Sequence, residues 1–531
     1  MKKRRIVFWL LLLLFAGLVC LWLFHVPYRP NRMYRLIPAH ATFVSTHIDL
    51  AAHRDDFFGN PIVMSLFRVM GLDMTEWQQE WSEPGTAYWI DKLLADRTVM
   101  AHVPALGRTG APAWIGVSWV GAESIKLRWM LKRGRLEDMT RVDHHAGGMF
   151  WRVDGEPGDR EFLSLAVVEG MVVAAWSPDR NAVQYALDAY NGTIRSIASG
   201  RGGIEQGLAP GNGFDPRCTE SAMSWGWYDP GADPAGYFPL YFSFDRIDSD
   251  GMRGAVCAAR PERWERIPLV GIEALGQLLG PLPFTLVGAH PDGFWALWDQ
   301  FAPEAWNAAI EHTLRAVPIE GPVIVSVMGN EYGGRFFGIG VPSLLLAAYV
   351  GDEETGIRAA KETLDRLNAQ YRWGLVPETG HVGDQPIYVV ESTSDTAYAR
   401  FRYRDRIAYT QRNGWFLAAS HADALMKLMS RSERIEAVVE ADEGPWRTGL
   451  MEAEDAAYGW IDLSSAATVI RTALMAWSLK LLFEDPVETE DTRRHLNEAR
   501  AWVDAMAPML RMQLWLDADG EMKTLKFELG E

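Results

Sequence analysis

The stretch SAMSWGWYDP, residues 221–230, returns as DAAYGWIDLS, residues 455–464, with Gly-Trp-x-Asp intact in both. A chain that writes one pattern twice has to seat it in two equivalent environments, so this recurrence limits the fold more than any other feature. Gly226 and Gly459 stand 233 residues apart, and other matches follow in sequence order at similar separations. ATFVSTHIDLAAHRDDFF, from Ala41, meets FTLVGAHPDGFWALWDQF, from Phe284, sharing Thr42/Thr285, Val44/Val287, His47/His290 and Asp49/Asp292. WVGAES at Trp119 parallels YVGDEE at Tyr349, and EGMVVAAWS at Glu169 parallels NGWFLAASH at Asn413. IDSDGM at Ile247 and LDADGEM at Leu516 are 269 residues apart, so the second copy carries about 36 extra residues after its Gly-Trp pattern. That addition reads as two helices, 464–483 and 490–507, with Ser464 and Ser465 placed to cap the first.

Local patterns give each copy its content. Period-two runs such as WIGVSWV, FLSLAVV, MVVAAW and LYFSFD are strand-like, and Glu-Gly, Asn-Gly and Asp-Gly between such runs are signals for tight antiparallel hairpins. Helical stretches follow Glu123 and Gly351 at the same place in the two copies, and SPDRNAVQYALDAY from Ser177 opens like a capped helix. The expected fold class is α+β: an N-terminal transmembrane helix followed by two tandem homologous α+β domains, each an antiparallel sheet with helices on one face. The expected organisation is a basic cytoplasmic stub at 1–5, a span at 6–24, a tether at 25–35, a first repeat at 36–268, a linker at 269–280, and a second repeat at 281–531 with a helical insertion at about 464–508.

The span is expected because residues 6–24 are nineteen uncharged apolar residues, about the length that crosses a bilayer as helix. Four basic side chains precede it, which predicts a cytoplasmic N-terminus and a periplasmic or extracellular remainder. Setting aside the seven Lys and Arg of residues 1–35 takes the formal charge from −17 to −24. So acidic a body repels phosphate backbones, and nucleic acid is excluded as a partner. Cys218 and Cys257 are the two cysteines outside the apolar segment and, in an oxidising compartment, are expected to pair.

Chemistry is harder to find. The repeated His-x-Asp, at His47/Asp49 and His290/Asp292, is the best lead, since residues two apart on a strand share a face and can set a base beside its orienting carboxylate. The competing expectation is that each aspartate caps the helix that follows. Asp143, His144 and His145 with His381 could suggest a metal site, but adjacent strand residues point to opposite faces, and nucleophile-elbow, zincin, Cys-x-x-Cys and phosphate-loop motifs are absent from the sequence. No cofactor and no metal is expected.

The first strand, IPAHATFVSTHIDL, with Pro38, Ala39, Ala41 and Val44, resembles the start of the ectodomain in single-pass bacterial envelope proteins that open with a Pro-Ala-x-Ala strand. That resemblance implies location and style of fold, and no activity. The expected function is a membrane-anchored, non-catalytic module that binds a protein or ligand partner. The alternatives are an exported hydrolase using His47 or His290, and a carrier of a hydrophobic ligand or lipid, which a long apolar groove would favour.

Overall fold

The computed structural model of the chain describes residues 26–64, 79, 84–106, 110–134, 139–144, 148–153, 161–199, 222–229, 240–259, 265–279, 283–301, 313–329, 335–336, 339–340, 342–393, 406–435, 445–453, 456–481, 493, 496–497, 499–501, 503–504, 510–517 and 522–530. Contacts divide the chain into two compact units, one of residues 1–59, 73–248 and 256–259, the other of residues 60–72, 249–255 and 260–531.

The first unit contains β1 (Phe43–Ile48), β2 (Arg97–Leu106), β3 (Ala111–Trp119), β4 (Met139–His144), β5 (Gly148–Val153), β6 (Phe162–Val168), β7 (Met171–Ser177), β8 (Ser224–Tyr228) and β9 (Leu240–Ile247), and β10 (Met252–Ala259) follows β9. Its strands run β10-β9-β8-β1-β2-β3-β7-β6-β5-β4 across the sheet. The second unit contains β11 (Pro283–Ala289), β12 (Val323–Met328), β13 (Arg335–Phe336), β14 (Ile339–Gly340), β15 (Ser343–Tyr349), β16 (Leu375–Val382), β17 (Gln385–Ser392), β18 (Ala408–Arg412), β19 (Trp415–Ala419), β20 (Ala457–Asp462), β21 (Arg511–Asp517) and β22 (Met522–Gly530). With β13 and β14 forming a small separate ribbon, the order is β22-β21-β20-β11-β12-β15-β19-β18-β17-β16, the same sequence of neighbours as in the first unit. GWYD and GWID therefore start on equivalent strands, β8 and β20. Two-residue turns join β6 to β7 and β18 to β19, with positive φ at Glu169 and Gly170 and at Asn413 and Gly414, the geometry a tight hairpin requires.

The fold class differs from the sequence expectation on three points. Among the described residues twenty strands belong to one antiparallel sheet, where two separate sheets were expected. Helices cover both faces of it, not one. In the second unit Trp415, Leu417 and Ala419 pack with the helices Ile272–Leu279 and Ala422–Ile435, while the alternate residue Phe416 packs with the helix Thr355–Tyr371. In the first unit Val173 and Ala175 meet the helix Ala182–Tyr190, and Val172 meets the helix Glu123–Lys132 on the other side. A strand buried on both faces reads as an unbroken apolar run, which is what WFLAA and MVVAA are. Third, among the described residues no helix is long and apolar enough to cross a membrane. Residues 6–24, expected to span, lie outside the described residues, and the expected single-pass location with a cytoplasmic N-terminus is corrected accordingly.

Two further details depart from the local reading. Residues 272–279, placed in a linker, form a helix whose Ile272, Leu275, Leu278 and Leu279 are buried in the second core. The helix Leu463–Leu481 is capped by the aspartate of the GWID pattern: Asp462 Oδ1 accepts from the backbone N–H groups of Ser464 and Ser465 at 3.0 and 3.1 Å.

The repeated glycine has different work in the two units. On β8, a Cβ at Gly226 would lie 2.8 Å from the Cα of Ser45 and also inside contact distance of the Val44 carbonyl oxygen. On β20, the atoms nearest a Cβ at Gly459 belong to the Leu514 side chain, the closest at 3.3 Å. Gly226→Ala is therefore expected to cost more than about 3 kcal/mol, because a strand backbone must move, and Gly459→Ala less than about 1 kcal/mol. Urea unfolding of the two variants measures this, and equal losses would refute it.

Candidate functional site

Pairing register shows that the two histidines of the repeat are not equivalent. Gly226 pairs with Ser45, and Gly459 pairs with Val287, so the counterpart of His47 on β11 is Ala289 and not His290. His47 ends a strand face with both ring nitrogens in hydrogen bonds, Nε2 with Ser45 Oγ at 2.9 Å and Nδ1 with Ser224 Oγ at 2.8 Å. Asp49 does not reach it as an orienting carboxylate. It lies past the strand end at φ +49°, five residues before the helix Arg54–Gly59, and so does not cap that helix either.

His290 stands outside β11 and begins the helix Pro291–Phe301: its carbonyl accepts from Phe294 N at 3.0 Å, and its Nδ1 accepts from the Asp292 backbone N–H at 3.2 Å. The histidine, not Asp292, makes the capping bond. Carboxylates of Glu265 and Asp292 lie 3.3 and 3.9 Å from its ring, both well exposed. Among the described residues one histidine thus has hydroxyls without a carboxylate, and the other has carboxylates without a nucleophile. Cys257 is buried on β10, and Cys218 lies outside the described residues. Among the described residues no group of three His, Cys, Asp or Glu is placed to hold a metal ion.

The same sheet face carries opposite chemistry in the two units. Across adjacent strands of the first, Ser118, Thr98, His47 and Ser224 form one transverse row. The corresponding row of the second is Ala348, Val323, Ala289 and Ala457. Next to that apolar row the second unit has a partly open cavity of about 470 Å³, within the range of small-molecule sites.

Each wall of the cavity has a sequence cause. The sheet supplies Leu346 of β15, Val390 of β17, Tyr409 of β18, and Phe416 and Ala418 of β19, all on the face opposite Trp415 and Leu417. The helix Thr355–Tyr371 gives Ala360, Leu364 and Leu367, a three- and four-residue spacing that makes one stripe. Its start is fixed by Asp352, whose Oδ1 accepts from Glu354 N and Thr355 N at 2.9 and 2.7 Å. Hydrogen bonds from Thr355 lead the causes that hold this carboxyl down at about 2. The helix Pro291–Phe301 contributes Phe294, Trp295 and Trp298, mutually packed with ring centroids 5.0 to 6.4 Å apart. Thr363 is also at the wall, with its hydroxyl already engaged by Ala359 O at 2.8 Å and Thr313 Oγ1 at 2.6 Å. No charged side chain is among the described lining residues.

His47 retains some accessible surface, yet desolvation lowers its pKa from 6.5 to about 4. Between those values the unfolded chain binds a proton that the native state refuses, so the stabilisation is complete above pH 6.5 and is lost as pH falls toward 4. The loss amounts to at most about 3 kcal/mol. Urea unfolding from pH 4.5 to 7.5 should show a shallower acid decline for His47→Gln than for the parent. Identical slopes would exclude the buried imidazole as its source. Comparison of the chain with protein-family models, with curated proteins and with solved structures gives no match.

Proposed function

We propose that the protein is a non-catalytic binding module whose second unit takes up an apolar small molecule. The observation that carries this reading is the cavity of about 470 Å³ whose described wall is almost wholly aliphatic and aromatic. Contact with such a wall releases water from both surfaces and stabilises a complex by about 25 cal/mol per Å² of apolar area covered. The walls come from secondary structure, which favours a site that exists before the ligand arrives: two helices start at fixed caps and the floor is a paired sheet.

The hydrolase alternative has less support. His47 is held neutral near pH 7 and bonded to two serines that are each 2% exposed, and His290 is occupied with a helix start. A nucleophile needs a reachable oxygen and an oriented base.

Titration with N-phenyl-1-naphthylamine, an uncharged fluorescent probe, tests the proposal. The parent chain is expected to bind it, with quenching of tryptophan emission from the residues at the wall. Ala418→Phe fills the cavity from the sheet side and should weaken binding at least tenfold while circular dichroism stays unchanged. Probe affinity that ignores Ala418→Phe, or no binding by the parent, would remove the reading.

A further inference from the structure

We propose that the first unit holds a separate site for a small organic monoanion: a carboxylate on an apolar body, met by the guanidinium of Arg128 and the ammonium of Lys132. A pocket of about 280 Å³ lies where the helices Glu123–Lys132 and Ala182–Tyr190 end beside strands β5 and β6. Arg128 and Lys132 both line it, and at four residues apart they share one face of the first helix.

Their bonding carries the argument. Arg128 donates from Nη2 to the Val167 carbonyl at 2.9 Å, and Val167 is itself a lining residue, so the guanidinium is fastened to the wall. Beyond that bond Arg128 has no ion pair among the described residues, and Lys132 has neither an ion pair nor a side-chain hydrogen bond among them. Other cations of the same unit do find carboxylates: Arg32 pairs with Glu169, Arg54 with Asp91, Lys126 with Glu123 and Arg141 with Asp143. The chain has 69 acidic against 52 basic side chains, so a basic group without a carboxylate is the less expected state. Two of them, one helical turn apart at a concave wall, suit an anion that comes from outside.

Charge balance sets its valence. The one carboxylate among the described lining residues, Glu169, is bonded to Arg32 and to the Tyr190 hydroxyl. The two helices that end here, at Lys132 and Tyr190, each contribute about half a negative charge. Two whole positive charges less those halves leave about one, which a carboxylate meets and a phosphate dianion exceeds. Asn191, whose side-chain amide has no partner among the described residues, adds a neutral donor. Met149, Val168 and Leu187 make an apolar part of the same wall. A volume of about 280 Å³ is the share of about nine waters, room for roughly ten to fifteen non-hydrogen atoms.

Calorimetric titration of the full chain near neutral pH with 1-naphthylacetate, 1-naphthylacetamide and 1-naphthyl phosphate tests the proposal. The carboxylate should bind the parent and lose roughly fivefold or more in affinity with Lys132→Gln, and likewise with Arg128→Gln. Lys132→Arg keeps the charge and should retain most of the affinity. Lys132 is exposed and bonds no described side chain, so its substitution does not threaten the fold. The amide, which the apolar cavity of the second unit can also take, should be indifferent to Lys132→Gln, and the phosphate should bind no more tightly than the carboxylate. Added salt should weaken the carboxylate and spare the amide. No binding of 1-naphthylacetate at millimolar concentration, an affinity unchanged by Lys132→Gln, equal losses for carboxylate and amide, or tighter binding of the phosphate would overturn the proposal. None of these outcomes bears on the cavity of the second unit, which an uncharged probe tests separately.

Discussion

Burial of a sheet on both of its faces is the constraint on which the rest of this molecule depends. Strands β7, β15 and β19 hold apolar residues at successive positions, and one helical layer cannot cover two faces. The helix Thr355–Tyr371 and its counterpart Glu123–Lys132 thus have to lie opposite the helices Ala422–Ile435 and Ala182–Tyr190. Once those layers are fixed, alternation along each strand decides what every side chain meets. Trp415 meets a close-packed core and bonds the Gly271 carbonyl at 2.8 Å, while Phe416, one residue on, meets a cavity.

Much of this was legible in the sequence, and the limits were physical. The Gly-Trp-x-Asp recurrence found β8 and β20, and the Glu-Gly and Asn-Gly dipeptides found two hairpin turns, because both are local requirements of backbone geometry. The His-x-Asp recurrence misled, since a match of letters at a constant offset ignores pairing register. One residue of slip turns a strand's faces over, and His290 fell beyond the end of its strand. Helices on one face were expected where helices on two faces occur, although WFLAA and MVVAA lacked the strict alternation of a half-exposed strand.

The cavity was barely legible. Its residues come from at least six stretches between Phe294 and Ala418 and meet only through topology. One signal did exist: GFWALWDQF puts three aromatic side chains within five positions of one helix, more than a surface helix needs. Chemistry in the first unit was equally hidden, because Ser118, Thr98, His47 and Ser224 are far apart in sequence and adjacent only across four strands.

The segment after the Gly-Trp-x-Asp strand shows how this architecture can be extended. From β8 to β9 the chain has 11 intervening residues, and from β20 to β21 it has 48, yet each pair is joined by the same antiparallel ladder. Lengthening a flexible connection by that ratio costs only about 1 kcal/mol in closure entropy. Asp462 fastens the longer one at its first turn, so the added chain leaves the sheet in a defined direction. The position behaves as a port: an engineered reporter or an affinity module grafted after Asp229 would meet a framework that already carries such a burden at the equivalent place in its other unit.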